Sequence, residues 1–190
     1  MTHLFSERLR LRAAERSDIP RFLKWINDPE ITENLVIFLP FSMTEEENWY
    51  ESMLKRPSEE HVMVIEVKEP NVDASEGFEW KPIGNIQLMD FDWRIRKAEV
   101  GIMIGEKDQW DKGYGTEVLQ LMLSHGFNTL NLNRIWLQVY EKNLRGITAY
   151  QKAGFKTEGR MRQAHYQHGS YYDIIIMSVL RDEWLLNHKQ

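Results

Sequence analysis

The run Trp110-Asp111-Lys112-Gly113-Tyr114-Gly115-Thr116-Glu117 has the residue types and spacing to hold an anion. A β-like stretch, Ala98 to Ile104, precedes it, and a helical pattern, Thr116 to Phe127, follows it. A strand, a glycine turn and a helix in that order leave the N–H groups of the first helical turn without intrahelical partners. The helix dipole adds partial positive charge at the same place. Gly113 and Gly115 lack Cβ atoms, so a ligand can approach the backbone closely. Lys112 adds a cation. The arrangement suits a pyrophosphate. A side chain at Gly115 would obstruct it, and a positive φ is expected there.

Two phosphate-loop patterns fit poorly. A Walker A loop places its lysine after the second glycine, whereas Lys112 precedes Gly113. A dinucleotide fingerprint needs a small residue three positions after Gly115, where this chain has Val118. An ordinary glycine turn before a helix stays open on these residues alone.

A second anchor is Asn143-Leu144-Arg145-Gly146-Ile147-Thr148-Ala149-Tyr150-Gln151-Lys152-Ala153-Gly154-Phe155. Asn143 is a good helix N-cap and Gly154 a good helix stop. The two anchors together resemble the GNAT N-acetyltransferases. The first matches the acyl-CoA loop Arg/Gln-x-x-Gly-x-Gly/Ala at Gly113 and Gly115, with Trp110 standing where Arg or Gln is usual. The second matches Asn-x-x-(small)-x-x-x-Tyr-x-Lys-x-Gly-Phe, with Gly146 as the small residue. The resemblance runs from about Leu9 to Leu180 and is strongest from Ala98 to Phe155. The run from Trp110 to Glu117 resembles a subgroup that includes Rim-type ribosomal-protein acetyltransferases and spermidine acetyltransferases.

The resemblance implies acetyl-CoA as donor and an amine as acceptor, with direct transfer and no metal. It implies that Ile102, Met103 and Ile104 bind the pantetheine arm through their backbone, one N–H serving as oxyanion donor. It implies further contacts to the cofactor from Trp110, Asp111, Lys112, Gly113, Tyr114, Gly115, Thr116, Asn143, Gly146, Tyr150 and Lys152. Tyr150 stands where relatives place the acid that protonates the leaving thiolate, and Glu99 where several place a base. The chemistry asks for both. A lysine-like amine with a pKa near ~10.4 must lose a proton before attack, and a phenol near ~10 stays protonated at neutral pH. Packing on a helix face would also explain Tyr150, and a solvated strand position would explain Glu99. Asn143 is explained as well by its cap alone.

The elements that must position these residues follow from periodicity. Leu9, Leu11 and Ala13 alternate with arginines as a first strand. Ser17 is expected to cap a helix with Ile19, Phe22, Leu23 and Ile26 on one face, stopped by Asn27-Asp28-Pro29. Leu35 to Phe41 is apolar and expected mostly to pack into the core. Thr44 and Glu47 form a capping box for a helix with Trp49, Tyr50, Met53 and Leu54. His61 to Val67 and Ile83 to Met89 read as strands joined by a polar hairpin loop, Glu69 to Trp80, with Gly84 marking a close backbone approach. After the glycine run, Leu119, Met122, Leu123 and Phe127 form a buried stripe. Ile135 to Val139 is a strand. Phe155 to Tyr166 and Tyr171 to Leu180 form a hairpin about His168-Gly169, and Arg181 to Asn187 a final helix. The order is α+β and matches the GNAT fold: a mixed, mostly antiparallel seven-stranded sheet with helices on both faces.

At 190 residues a single domain, 1–190, is expected, with 42% hydrophobic and 28% charged residues. The absence of cysteine excludes disulfides and thiolate chemistry. The histidines lack metal spacing. The segment from Met1 to Arg12 lacks the apolar core of a signal peptide, and Leu35 to Leu39 is too short to span a bilayer, so a cytoplasmic protein without membrane contact is expected. A net charge of -5 argues against nucleic acid and suits a cationic substrate. The acceptor is a small-molecule amine, such as a polyamine or amino sugar, or a protein N-terminal α-amine, and a homodimer is left open. Tyr166, Tyr171, Tyr172 and Asp173 are candidates to line its site, with strand packing as the alternative for the aromatics, and His165 and His168 lie near the last hairpin, where a solvated turn explains His168. An acyl-CoA-binding sensor without turnover, and more remotely a nucleotide-binding protein, are the other classes.

Overall fold

The structure is a computed structural model that describes residues 4–35, 37 and 39–187. Seven strands form one sheet in the order β1-β2-β3-β4-β5-β7-β6. They are β1 (Leu9–Ala13), β2 (Met63–Pro70), β3 (Phe78–Asp92), β4 (Lys97–Ile104), β5 (Arg134–Tyr140), β6 (Lys156–Gln167) and β7 (Ser170–Leu180). Six helices punctuate them: α1 (Ile19–Ile26), α2 (Pro29–Thr32), α3 (Met43–Met53), α4 (Tyr114–Ser124), α5 (Leu144–Ala153) and α6 (Arg181–Asn187). The chain forms two compact units. The N-terminal unit holds Leu4–Leu88 and Ile102–Lys112, and the C-terminal unit holds Met89–Gly101 and Gly113–Gln190.

In the N-terminal unit, β1 buries Leu9 and Leu11 and turns its arginines to acids. Arg10 and Arg12 both donate to Glu66 of β2, at 2.7 and 2.8 Å, and Arg12 also forks onto Asp18 at 2.7 and 2.8 Å. That network explains a difference at the start of α1. Ser17 lies in a 3-10 turn, Arg16–Asp18, and Asp18 is the N-cap. The Asp18 carboxylate also accepts the Glu15 N–H at 2.9 Å, which tightens the entry by three residues. Pro20 fits the first turn of α1, whose buried face is Ile19, Phe22 and Trp25, with Leu23 and Ile26 half-buried.

The second difference is at α3. Two overlapping Ser/Thr-x-x-Glu patterns compete, and Ser42 with Glu45 wins over Thr44 with Glu47. Ser42 Oγ accepts the Glu45 N–H at 3.2 Å, and Glu45 accepts the Ser42 N–H at 2.7 Å. The Asn27 amide decides the phase. It donates to the Phe41 carbonyl and accepts the Phe41 N–H, both at 2.8 Å, and so fixes the chain one residue before the cap. The preceding apolar stretch is not mostly core. Leu35 packs against the core, but Leu39 is 76% exposed and Phe41 is exposed too. Val36 and Phe38 lie outside the described residues.

The β2–β3 hairpin is longer than its polar sequence suggests, with strand pairing as far as Pro70↔Phe78. Aromatic contacts carry it outward. Phe78 meets Trp80 edge-on at 5.8 Å, and the Arg10 guanidinium lies 4.6 Å from the Trp80 ring. Gly84 is required by a close approach: a Cβ there would run into the Met103 carbonyl oxygen.

In the C-terminal unit, β5 and β7 pair antiparallel, as do β6 and β7 about the His168-Gly169 turn, where both residues have positive φ (49° and 78°). The β4–β5 ladder is parallel and short. It runs from Lys97↔Arg134 to Glu99↔Trp136 and ends there, although β5 continues to Tyr140. Helix α4 begins at Tyr114, two residues before the apolar periodicity, and relaxes into a π-turn, His125–Thr129. Leu119, Met122, Leu123 and Phe127 are buried as a stripe.

Candidate active site

The glycine run passes from one unit to the other at Lys112–Gly113, so each part is described with its own unit. In the C-terminal unit Gly113 is the N-cap of α4, in the left-handed region at φ 83°. A side chain at that φ would be strained, and Gly113 supplies no side-chain cap. The first-turn N–H groups of α4 therefore lack the capping oxygen that Ser42 gives α3 and Asn143 gives α5. The positive φ expected at Gly115 falls on Gly113 instead. Gly115 is an ordinary helical residue with open space at its missing Cβ, the nearest atom being the Ala149 Cβ at 4.0 Å. That is an anion-receptive helix end with its approach kept clear.

Helix α5 lies beside α4. Thr116 Oγ1 donates to the Ala149 carbonyl at 3.4 Å, so this hydroxyl links the two helices. At the start of α5, Asn143 Oδ1 accepts the Gly146 N–H at 2.9 Å. A Cβ on Gly146 would come within 2.6 Å of the Asn143 amide, which is why a small residue stands there. Lys152 is exposed in the last turn of α5, where its charge complements the helix dipole. Six residues of helix, roughly 9 Å, separate it from Gly146.

Tyr150 is half-buried on α5 and meets Phe155 edge-on at 5.9 Å. Desolvation pushes its pKa up to about 12. The phenol therefore keeps its proton at any physiological pH. Glu99 stands on β4 between buried Ala98 and Val100, on the last rung of the β4–β5 ladder. Its pKa is raised, first by burial, then by the charge of Asp90 and by a hydrogen bond to the Asp90 side chain. Asp90 is exposed and has a left-handed φ of 52°. A carboxylate raised in this way is a stronger base than an ordinary glutamate.

In the N-terminal unit, Ile102, Met103 and Ile104 are half-buried at the end of β4. Trp110 explains its departure from the expected Arg or Gln. Its indole N–H donates to the Ile104 carbonyl at 2.9 Å and its ring packs on the core, so it ties the loop to the strand. Asp111 is exposed with φ 60°. With Gly113 it makes an alternation of left-handed residues, a pattern found in backbone anion cradles. The Lys112 ammonium donates to Gln109 Oε1 at 3.0 Å, and Arg8 donates to the Lys112 carbonyl at 3.4 Å.

Residues of the last hairpin and of α3 lie outside these motifs. His165 is buried and stacks on Tyr140 with ring centroids 3.8 Å apart, and neither His165 Nε2 nor the Tyr140 hydroxyl has a partner. His168 is an exposed turn residue. Tyr166 and Tyr171 are exposed and pack on each other, while Lys142 sits over the Tyr172 ring at 3.6 Å. Asp173 is held by Arg160 at 3.0 Å and by the Gln163 N–H at 2.8 Å. Glu46 of α3 is buried, and desolvation raises its pKa to about 7. Reading positions 46, 50 and 53 as one helical face would have found Glu46. Among the described residues no cluster of three or more His, Asp or Glu side chains could hold a metal, and no helix is long and apolar enough to cross a membrane.

Comparison with known proteins agrees with this arrangement. Residues 8–156 match the acetyltransferase (GNAT) domain family. The spermidine N(1)-acetyltransferase of Vibrio cholerae is 28% identical over 95% of this chain and 97% of its own. The uncharacterized N-acetyltransferase p20 of Bacillus licheniformis is 28% identical over 97% and 99%. A crystal structure of the Vibrio cholerae spermidine N-acetyltransferase with CoA and spermine superposes with a TM-score of 0.82 at 27% identity, covering 95% of this chain and 99% of that one. The chain belongs to the GNAT acetyltransferase family. It is an N-acetyltransferase with the mixed, mostly antiparallel sheet of that fold.

Proposed function

We propose that this enzyme acetylates a primary amine of a polyamine or similar small cationic amine, with acetyl-CoA as donor. The observation that carries the reading is the start of α4. Its N-cap is Gly113, which supplies no capping side chain, and Gly115 leaves the approach open, as a pyrophosphate requires. The related enzyme crystallised with CoA and spermine supports both the donor and the acceptor class.

In this reading Gly113, Tyr114, Gly115 and Thr116 take the pyrophosphate on the α4 N-terminus, with Asp111 and Lys112 at its edge. The backbone of Ile102, Met103 and Ile104 takes the pantetheine arm, and Trp110 holds that strand end in place. Asn143 and Gly146 shape the start of α5. Glu99 accepts the proton of the attacking ammonium, directly or through water. A backbone N–H of the β4 end stabilises the oxyanion. Tyr150 donates a hydrogen bond to the departing thiolate. Lys152 stands at the solvent end of α5 and is the weakest member of the set.

The test is an acceptor screen with polyamines, amino sugars, amino acids and N-terminal peptides, read as thiol release from acetyl-CoA. Transfer to a polyamine with the highest kcat/KM supports the reading. Preference for a peptide α-amine would favour the Rim-type acceptor instead. CoA binding without release for every amine would make the protein a sensor.

A further inference from the structure

Two arginines of the C-terminal unit meet where the turn before β4 touches the turn before β5. Arg96 and Arg181 both donate through Nη1 to one acceptor, the side-chain oxygen of Asn131, Arg96 at 3.2 Å. Two guanidinium groups are thereby held beside a single neutral oxygen. An amide oxygen can take their hydrogen bonds but cannot cancel their charge.

The acids of the neighbouring elements are engaged elsewhere. Glu158 binds Arg134 and accepts from the Ser178 hydroxyl, and Glu183 binds Lys156. Asp92 accepts the Arg94 and Ile95 N–H groups, and Asp90 is bonded to Glu99. Asp182 follows Arg181 in the first turn of α6, where adjacent side chains diverge. Lys97, next to Arg96, adds a further cation, and its ammonium lies 5.9 Å from the Trp136 ring. Among the described residues neither Arg96 nor Arg181 pairs with a carboxylate. In a chain of net charge -5 this is a local excess of positive charge.

The backbone fixes the roots of both arginines. Arg96 and Asn131 each have φ 55°. Asparagine adopts that left-handed region readily, and arginine rarely does. The Arg96 carbonyl accepts the Asn133 N–H at 2.6 Å and the Arg134 N–H at 3.2 Å, and the Arg181 N–H donates to the Asn133 carbonyl at 2.9 Å. Both arginines are therefore tied to the same segment, 131–134. A strained residue held by several bonds is a feature of ligand clamps. Arg96, Asn131 and Asn133 are exposed and Arg181 is half-buried, so a ligand has access. Each guanidinium spends one N–H on Asn131 and keeps the rest of its planar fork, which suits an anion with several oxygens. A carboxylate would balance one of the two charges, and a phosphate dianion would balance both.

We propose that Arg96 and Arg181, set on Asn131, form a binding site for a phosphate-type dianion, free or carried on a phosphorylated side chain. The site is built from the entries to β4, β5 and α6 and is separate from the start of α4 assigned to the cofactor.

Melting in inorganic phosphate against chloride, at equal ionic strength and pH 8, tests it. Exclusion of phosphate from protein surfaces raises every melt, and binding at the α4 start would be common to all variants, so the readout is the difference between proteins. At about 20 mM phosphate wild type should gain at least about 3 °C more than Arg96→Asn or Arg181→Gln. Arg96→Asn puts in a residue that tolerates the positive φ. In chloride both variants should melt close to wild type or above it, because each removes a like charge. Arg181→Lys keeps the charge without the fork and should retain less than half of the gain. Calorimetry then separates the sources. A phosphoserine peptide that binds at least tenfold tighter than inorganic phosphate, and is released by either substitution, supports a phosphorylated partner. Peptide binding no tighter than inorganic phosphate supports a free phosphate. An equal phosphate gain in wild type and variants overturns the proposal, as does the absence of saturable binding of both probes to folded wild type. Neither result depends on whether CoA binds, and CoA affinity should be the same in wild type and both variants.

Discussion

The Asp90 and Glu99 carboxyl groups share a hydrogen bond across adjacent strands β3 and β4. Burial first, then the Asp90 charge and this hydrogen bond, hold the Glu99 pKa up. The acid side of the kcat/KM profile should therefore fall as pH drops through this raised pKa, because the base then carries a proton. Asp90→Asn removes the neighbouring charge, so the fall should move to lower pH. Glu99→Gln should lose most at low pH, where the amine is also mostly protonated. An acid limb that stays in place in Asp90→Asn would detach Glu99 from proton removal.

Tyr150 stays protonated, but its pKa of about 12 makes it a reluctant acid. Handing a proton to a thiolate of ordinary pKa near ~8.5 is uphill by roughly 5 kcal/mol. In the proposed mechanism a hydrogen bond to the developing thiolate is therefore the larger part of its contribution. Tyr150→Phe keeps the ring against Phe155 and should slow single-turnover acetyl transfer by about 10²-fold, with acetyl-CoA affinity nearly unchanged. A rate within twofold of wild type would leave Tyr150 as a packing residue.

The open space at Gly115, together with its ordinary φ, separates binding from folding. Gly115→Val should leave a denaturant melt within about 1 kcal/mol of wild type, since a β-branched residue in a first helical turn costs little. CoA affinity should drop by at least tenfold because the new methyls occupy the phosphate approach. CoA should also raise the melting temperature of wild type with concentration. Unchanged affinity in the mutant would reduce the loop to a turn.

The sequence made the C-terminal half of this site legible because its signals are local. Asn143 caps within three residues, Gly154 stops a helix, and His168-Gly169 closes a hairpin. What it hid depends on distant partners. Asn27 sets the phase of α3 from fourteen residues away, so the capping box shifted from Thr44 to Ser42. Trp110 looked like a defect in a motif until the Ile104 carbonyl gave its indole a partner. Asp90 acquires meaning only when strand pairing brings Glu99 beside it. The φ of Gly115 was misassigned because a Gly-x-Gly does not say which glycine makes the turn.

Glu46 also affects stability, with a definite sign. The unfolded carboxyl ionises near ~4.3, and the folded one only at about 7. Below pH 4 both states are protonated and Glu46 costs nothing. As pH rises toward 7 the unfolded state ionises first, so stability is lost through that window, by at most ~4 kcal/mol. Glu46→Gln should therefore melt above wild type at pH 8, with the gain vanishing toward pH 4. A gain independent of pH would mean that the carboxyl is ionised in the fold.

The pair of hydrogen bonds between the Asn27 amide and the Phe41 backbone staples the two ends of the connection between α1 and α3. The helix start is thereby insulated from the length and sequence of what lies between. Residues 33–40 can be exchanged for a shorter or longer stretch at a loop-closure cost that grows only with the logarithm of length. This connection can thus diverge as a cassette, while the phase of α3, and with it the depth of Glu46, stays fixed.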